Sequence, residues 1–311
     1  MIMCVFQNTP AYEKCVRELA AFSREIGRGA APAITWLYRG GCLQNLRDLA
    51  GAVRDYDVAV ARGAELTPTE LAQVYDSRSI SRRQLKDFAG AVADGEQAVT
   101  LIPDNARYWA NLGDARYWAQ DYDGAITALN RALSLNPEET WAYAYRGRCR
   151  QRRGEHEPAI ADLTLALSDK FSSYHLLLDR AESFFWLGRY AEAIADCAEA
   201  EQRAGSEENY RINLIRGCAS LLSGDPDRAL GDLAHALVIN KSAPELYLWR
   251  GLAFRALGDE TAAAADLAIF AARHPGGAAR AAREMADALE LVSAPAASPR
   301  SPILPVMAAV A

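Results

Sequence analysis

Lysine is almost missing from this chain. Lys14, Lys86, Lys170 and Lys241 are the whole complement in 311 residues, arginine supplies the rest of the 34 cationic side chains, and 40 Asp and Glu leave a net charge of −6. An acidic balance argues against a dedicated nucleic-acid or anionic-membrane surface, so neither partner is expected. No long apolar run is present either. The apolar stretch 302–311 has about half the length of a membrane-spanning helix. The first ten residues carry neither a basic start nor the apolar core of a secretory signal, and a cytoplasmic location is expected.

Chemistry-bearing motifs are equally sparse. The six cysteines, at 4, 15, 42, 149, 197 and 218, include no C-x-x-C pair and have no histidine at zinc-ligand spacing, so no metal is expected. His156-Glu157 opens like a metalloprotease helix, but Ile160 stands where the second histidine is needed. Glycine-rich phosphate loops, dinucleotide fingerprints and nucleophile elbows are missing. The expectation is therefore a protein that is not an enzyme, with no catalytic residue and no cofactor.

What the chain does have is a repeat. From Ala106 to Glu139 run two apolar-periodic segments that break near Gln120 and Asp121, with Pro137 ending the second. Sliding by 34 residues carries Gly113 onto Gly147 and Ala181, then after two extra residues onto Gly217 and Gly251. Upstream it falls on Ser79 and, past five extra residues, on Gly40. The second helix repeats an alanine at 52, 91, 125, 159, 193, 229 and 263, and another at 59, 98, 132, 166, 200 and 236, with Phe270 in the seventh place. Small residues at recurring places let paired helices approach closely.

The aromatic Trp109, Leu112-Gly113, the paired Ala125 and Ala132, and Pro137 resemble the tetratricopeptide repeat. The resemblance implies an all-α fold, a right-handed α-solenoid of about seven helix-turn-helix repeats that stack into one continuous, elongated domain and bind a protein or peptide partner. The expected division is 1–32 for an N-terminal capping helix, 33–277 for seven tetratricopeptide-like repeats, 278–292 for a C-terminal capping helix and 293–311 for a disordered Pro/Ala-rich tail. In the first cap Tyr12, Cys15, Val16, Leu19, Ala20 and Phe22 form the apolar stripe, and in the last Ala282, Met285, Leu289 and Val292 point inward. The tail holds two proline-x-x-proline spacings, 299–302 and 302–305, as polyproline-binding modules use.

Two departures from the family's pattern carry information. Six repeats place an arginine before the small residue, at 39, 78, 146, 180, 216 and 250, and sixteen residues later an aspartate, at 55, 94, 162, 196, 232 and 266. The remaining repeat has Leu112 and Ala128 and loses both. A hairpin turning midway brings such positions level, so an ion-pair ladder is expected, with a ligand-binding arginine row as the alternative. The Lys, Asn and Arg with which some family members clamp a chaperone tail's carboxylate are replaced, for instance by Ala110, Asp114 and Tyr145, and no asparagine ladder is present.

On the first helices, the side turned from the second helix recurs every three or four residues. Through the central repeats it carries Asp114, Tyr117, Trp118, Trp141, Arg148, Arg152, His175, Glu182 and Trp186. Aromatic and arginine side chains are the usual interface anchors, so these nine are the candidate partner-binding residues. The reading is a noncatalytic scaffold that holds an extended or helical partner segment in its groove. A self-assembling structural or adaptor protein, a homo-oligomer, and an enzyme or small-ligand receptor are the alternatives.

Overall fold

The computed structural model describes residues 10–29, 31–168, 173–205 and 209–293. Every regular element among them is helical. In order they are α1 (Pro10–Gly27), α2 (Ala33–Asn45), α3 (Leu49–Ala61), α4 (Pro68–Gln84), α5 (Phe88–Leu101), α6 (Ala106–Trp118), α7 (Tyr122–Leu135) and α8 (Thr140–Arg152). Then follow α9 (His156–Ala166), α10 (Tyr174–Trp186), α11 (Tyr190–Ala204), α12 (Tyr210–Leu222), α13 (Pro226–Ile239), α14 (Pro244–Ala256), α15 (Glu260–Arg273) and α16 (Ala278–Ser293). Contacts gather these into two compact units, Met1–Cys149 and Arg150–Ala311. Within each unit successive helices pack as antiparallel pairs, and the fold is of the helical-repeat class. Cys4, Lys170 and the proline-rich 294–311 lie outside the described residues.

One backbone device closes every hairpin. Arg47, Lys86, Gln120, Gly154, Gly188, Gly224 and Gly258 each adopt positive φ, between 63° and 91°. These are equivalent places in the period. The N–H of the next residue then reaches back five residues to a helix carbonyl, as Asp87 to Arg82 and Asp225 to Ser220, both at 2.9 Å, in the 6→1 pattern that satisfies an orphan C=O. In five hairpins that next residue is aspartate, at 48, 87, 121, 225 and 259, and its carboxylate caps the following helix by accepting a backbone N–H. A single side chain thus opens the second helix at the residue whose backbone ends the first.

The repeated alanines are core. Those at 52, 91, 125, 159, 193, 229 and 263 are essentially inaccessible, and Phe270 is fully buried. Gly40, Gly113, Gly217 and Gly251 of the first helices each face the residue sixteen places on. A Cβ on Gly113 would come within 2.5 Å of Leu129 Cγ, and one on Gly40 within 2.6 Å of the Tyr56 ring. In α4 the small residue is Ser79, which donates to the Ala91 carbonyl at 2.7 Å, while a Cβ on Gly95 of α5 would come within 3.1 Å of Leu112 Cδ1 of α6.

The arginine–aspartate pairs form wherever both members lie in one unit. Arg39 meets Asp55 through two bonds at 2.7 and 2.6 Å, and Arg78 meets Asp94 at 2.9 and 2.6 Å. Arg180 and Asp196, Arg216 and Asp232, and Arg250 and Asp266 repeat the fork within 3.1 Å. Bidentate geometry on aspartates this deeply buried makes the row a set of helix-to-helix ties. Arg146 and Asp162 belong to different units; within its own, Arg146 donates to Asn130 at 2.7 Å and Asp162 accepts from Arg150 at 2.7 Å. Where the pair is missing, Leu112 and Ala128 are buried together in an apolar cluster.

The two flanking helices differ in detail from expectation. In α1, Tyr12, Cys15, Leu19 and Phe22 are half-buried, but Val16 and Ala20 are exposed, because Glu18, Glu25 and Ile26 turn toward the protein instead. In α16, Ala281 and Ala288 are fully buried and Met285, Leu289 and Val292 pack on the core, whereas Ala282 is exposed. The buried stripe is shifted by one residue because Glu284 is held inside by His274 at 2.9 Å and by Arg280 at 3.1 Å.

Candidate partner-binding faces

Five of the nine candidates lie in the first unit and converge on a residue outside the set, Tyr145. Helix α6 supplies Asp114, Tyr117 and Trp118, spaced to share a face, and α8 supplies Trp141 and Arg148, one turn either side of Tyr145. Tyr117 meets the Tyr145 ring edge-on at 5.7 Å, Trp141 does so at 5.9 Å, and the Arg148 guanidinium sits over it at 5.6 Å. Trp118 stacks on Phe88 of α5 at 6.3 Å and stays 44% exposed. Trp141 is half-buried against the apolar cluster of α6 to α8, so it is partly a core residue.

Asp114 is buried rather than presented. Its Oδ2 meets Arg83 Nε at 3.0 Å, while Oδ1 is buried with no partner in hydrogen-bond geometry, although the Tyr145 hydroxyl and the Trp118 indole are near enough to act on it. Burial raises its pKa, and Arg83 opposes that rise. The Tyr145 phenol is pushed up to about 12, first by burial and then by the Asp114 charge. The result is an aromatic platform with one buried carboxylate beneath it and guanidinium groups at its edges.

The other four candidates lie in the second unit and do not converge in the same way. Arg152 is exposed at the end of α8. His175 leans on the Tyr174 ring at 4.2 Å, and Trp186 stacks on His156 at 6.2 Å and meets Phe185 edge-on. His156 is thus a packing residue of a hairpin turn, its pKa lowered by burial. Glu182 forms the polar centre: Arg211 of α12 reaches it at 3.2 Å and Asp179 at 3.6 Å. Burial pushes the Glu182 carboxyl up to about 7, with Arg211 and Arg152 pulling it down and Asp179 pushing it further up.

Tyr145 had a legible signal, since it stands four residues after Trp141 and three before Arg148 on one helix. Arg83 and Arg211 had none, because each reaches its carboxylate from a neighbouring hairpin and no spacing within one helix announces that. Among the described residues no group of three or more His, Cys, Asp or Glu is placed to hold a metal ion. No described helix is long and apolar enough to cross a membrane.

Comparison with known proteins agrees with the period and the fold. PilW, a widely conserved type IV pilus biogenesis factor, superposes with a TM-score of 0.58 at 18% identity over 66% of this chain and 94% of its own. A tetratricopeptide repeat protein from Parabacteroides merdae gives 0.53 at 17% identity over 79% and 100% of the two chains. YrrB, a protein of this kind with an unusual peptide-binding site, gives 0.50 at 16% identity over 61% and 97%. At such identities the likeness is one of fold. No curated protein matches the sequence. The sequence profiles of the tetratricopeptide repeat match residues 106–139, the hairpin of α6 and α7, and residues 245–277, that of α14 and α15. With the period, the hairpins and two profile matches in agreement, this chain is a tetratricopeptide-repeat-containing protein.

Proposed function

We propose that the chain is a noncatalytic protein-interaction scaffold, and that the face of α6 and α8 around Tyr145 binds an extended or helical segment of a protein partner. The observation that carries this reading is the juxtaposition of a large exposed ring, Trp118, with the Tyr117–Tyr145–Trp141 aromatics and the Arg148 guanidinium. Rings of this size supply contact area at small conformational cost, and arginine adds directional bonds to carboxylates. A segment with an acidic residue flanked by apolar ones suits both. Surface charges alone contribute little, so the aromatics carry most of the affinity.

The test is affinity capture from native extract with the wild-type chain and with Trp118→Ala. Trp118 is the ring to change because Trp141 doubles as core. Capture of the partner is expected to fall by about tenfold, or roughly 1.4 kcal/mol, with the thermal transition unmoved. A variant that folds normally and captures the same proteins at wild-type yield places the binding surface elsewhere.

A further inference from the structure

Helix α1 is fastened along α2 by a seam of crossed contacts. The Asn45 amide donates to Cys15 Sγ at 3.7 Å, and the Cys42 thiol donates to Glu18 Oε2 at 3.9 Å. Residues 15 and 18 lie one turn apart on α1, as 42 and 45 do on α2, so the crossing sets the two sulfurs side by side. Further along, Thr35 Oγ1 donates to Glu25 at 3.1 Å and Phe22 stacks on Tyr38 at 6.0 Å. Burial, followed by the neighbouring Cys15 thiol and the Glu18 carboxylate, pushes the Cys42 thiol up to about 11.

Access separates Cys15 from the other described thiols. Cys15 and Cys42 both line a cavity of about 550 Å³, walled on its far side by Asp76 and Ile80 of α4 and Arg107 of α6. Cys15 is half-exposed within it, whereas Cys149, Cys197 and Cys218 are fully inaccessible. Reactivity toward a dissolved oxidant follows exposure, so Cys15 reacts first.

We propose that Cys15 and Cys42 are a redox pair, which a small soluble disulfide converts to a Cys15–Cys42 disulfide that fastens α1 to α2. The Cys15 thiolate attacks one sulfur of the small disulfide, whose S–S bond breaks and releases one thiol. Cys42 then loses its proton to solvent and attacks the Cys15 sulfur of the mixed disulfide, releasing the second thiol. Two protein thiols are oxidised, and one small disulfide is reduced to two thiols. The link would hold α1 over Gly41 and Asn45 of α2, which stand in register with Asp114 and Trp118 of α6. The inference is independent of what the α6–α8 face binds.

The reduced full-length chain is treated with oxidised glutathione, and its peptides are mapped by mass spectrometry without reduction. The expected product is one intramolecular Cys15–Cys42 link, with two of the six thiols lost to titration. Cys42→Ser should stop at a glutathione adduct on Cys15. Serine is tolerated there, since the equivalent Ser81 and Ser183 are buried. Cleavage in the Gly27–Gly29 connection should slow by about tenfold once the loop is cross-linked. A wild-type chain that stays a stable Cys15 adduct with Cys42 free, links other cysteines instead, or does not react overturns the proposal.

Discussion

In the unit Met1–Cys149 the left-handed residue of each hairpin turn is Arg47, Lys86 or Gln120; in Arg150–Ala311 it is Gly154, Gly188, Gly224 or Gly258. All seven turns share the same backbone bond, although Glu155 and Arg189, which follow Gly154 and Gly188, give no side-chain cap. The units also differ on the inner faces of their first helices. In register with Asp114, Trp118, Tyr145 and Arg148 of the first unit stand Cys218, Leu222, Trp249 and Leu252 of α12 and α14, all buried. Helix α16 packs on α12, α14 and α15 and contributes Met285, Leu289 and Val292 to that core. Helices α12 and α14 bury this register in the apolar core of the second unit, whereas α6 and α8 of the first leave a large ring and charge on it. The same period therefore serves packing in one place and leaves a surface in the other.

The largest separation between the two registers should appear in the tryptophans. Trp249→Ala empties a fully buried site and should cost about 3 to 5 kcal/mol, while Trp118→Ala, at a half-exposed ring, should cost less than about 1 kcal/mol. Urea unfolding followed by circular dichroism measures both. Equal costs would erase the distinction between core and surface.

The ladder sharpens the comparison of hairpins. Arg78→Ala should cost about 1 to 3 kcal/mol, less than for a fully orphaned buried charge, because Arg82 still reaches Asp94 at 2.9 Å. Adding Asp94→Ala should cost little more, so a double-mutant cycle that returns the simple sum would refute the tie.

In the second unit, Glu182 has a folded pKa of about 7, above its ordinary value, so the native state holds a proton that the unfolded chain has lost. Its contribution to stability is full at acidic pH and is lost as pH rises toward 7. Glu182→Gln should then stabilise the unit at pH 8 by about 1 to 2 kcal/mol and flatten that slope. An unchanged pH profile in denaturant titrations would remove Glu182 as its source.

The turns should give the smallest effects, of opposite sign in the two units. Lys86→Gly should stabilise by about 0.5 to 1 kcal/mol, and Gly224→Ala should destabilise by about 1 kcal/mol. Nothing lies within 4 Å of a Cβ built on Gly224, so the cost is backbone strain alone. Melting temperatures of the two variants that move in the same direction would contradict this.

Much of the fold was legible because a 34-residue period samples each structural place several times. The alanine columns, the small residue of the first helix and the Arg–Asp columns each recur in most of the hairpins, and Leu112 with Ala128 shows the pair vanishing together. The flanking helices occur once each, and there the reading of Val16, Ala20 and Ala282 went wrong. A stripe of small and apolar residues is wide enough to rotate by one position, and a buried polar contact such as Glu284 with His274 decides which way it turns.

The sequence alone determined the helical hairpin, its repetition and the Arg–Asp partners joined within five of the hairpins, because those depend on spacings of sixteen and thirty-four residues along one chain. Only the tertiary structure decided what each inner face became. Asp114 is buried by Arg83, Glu182 by Arg211, and Cys15 is brought beside Cys42. Each of these joins separate elements, and such contacts depend on how neighbouring helices pack, for which no single helix's periodicity carries a signal.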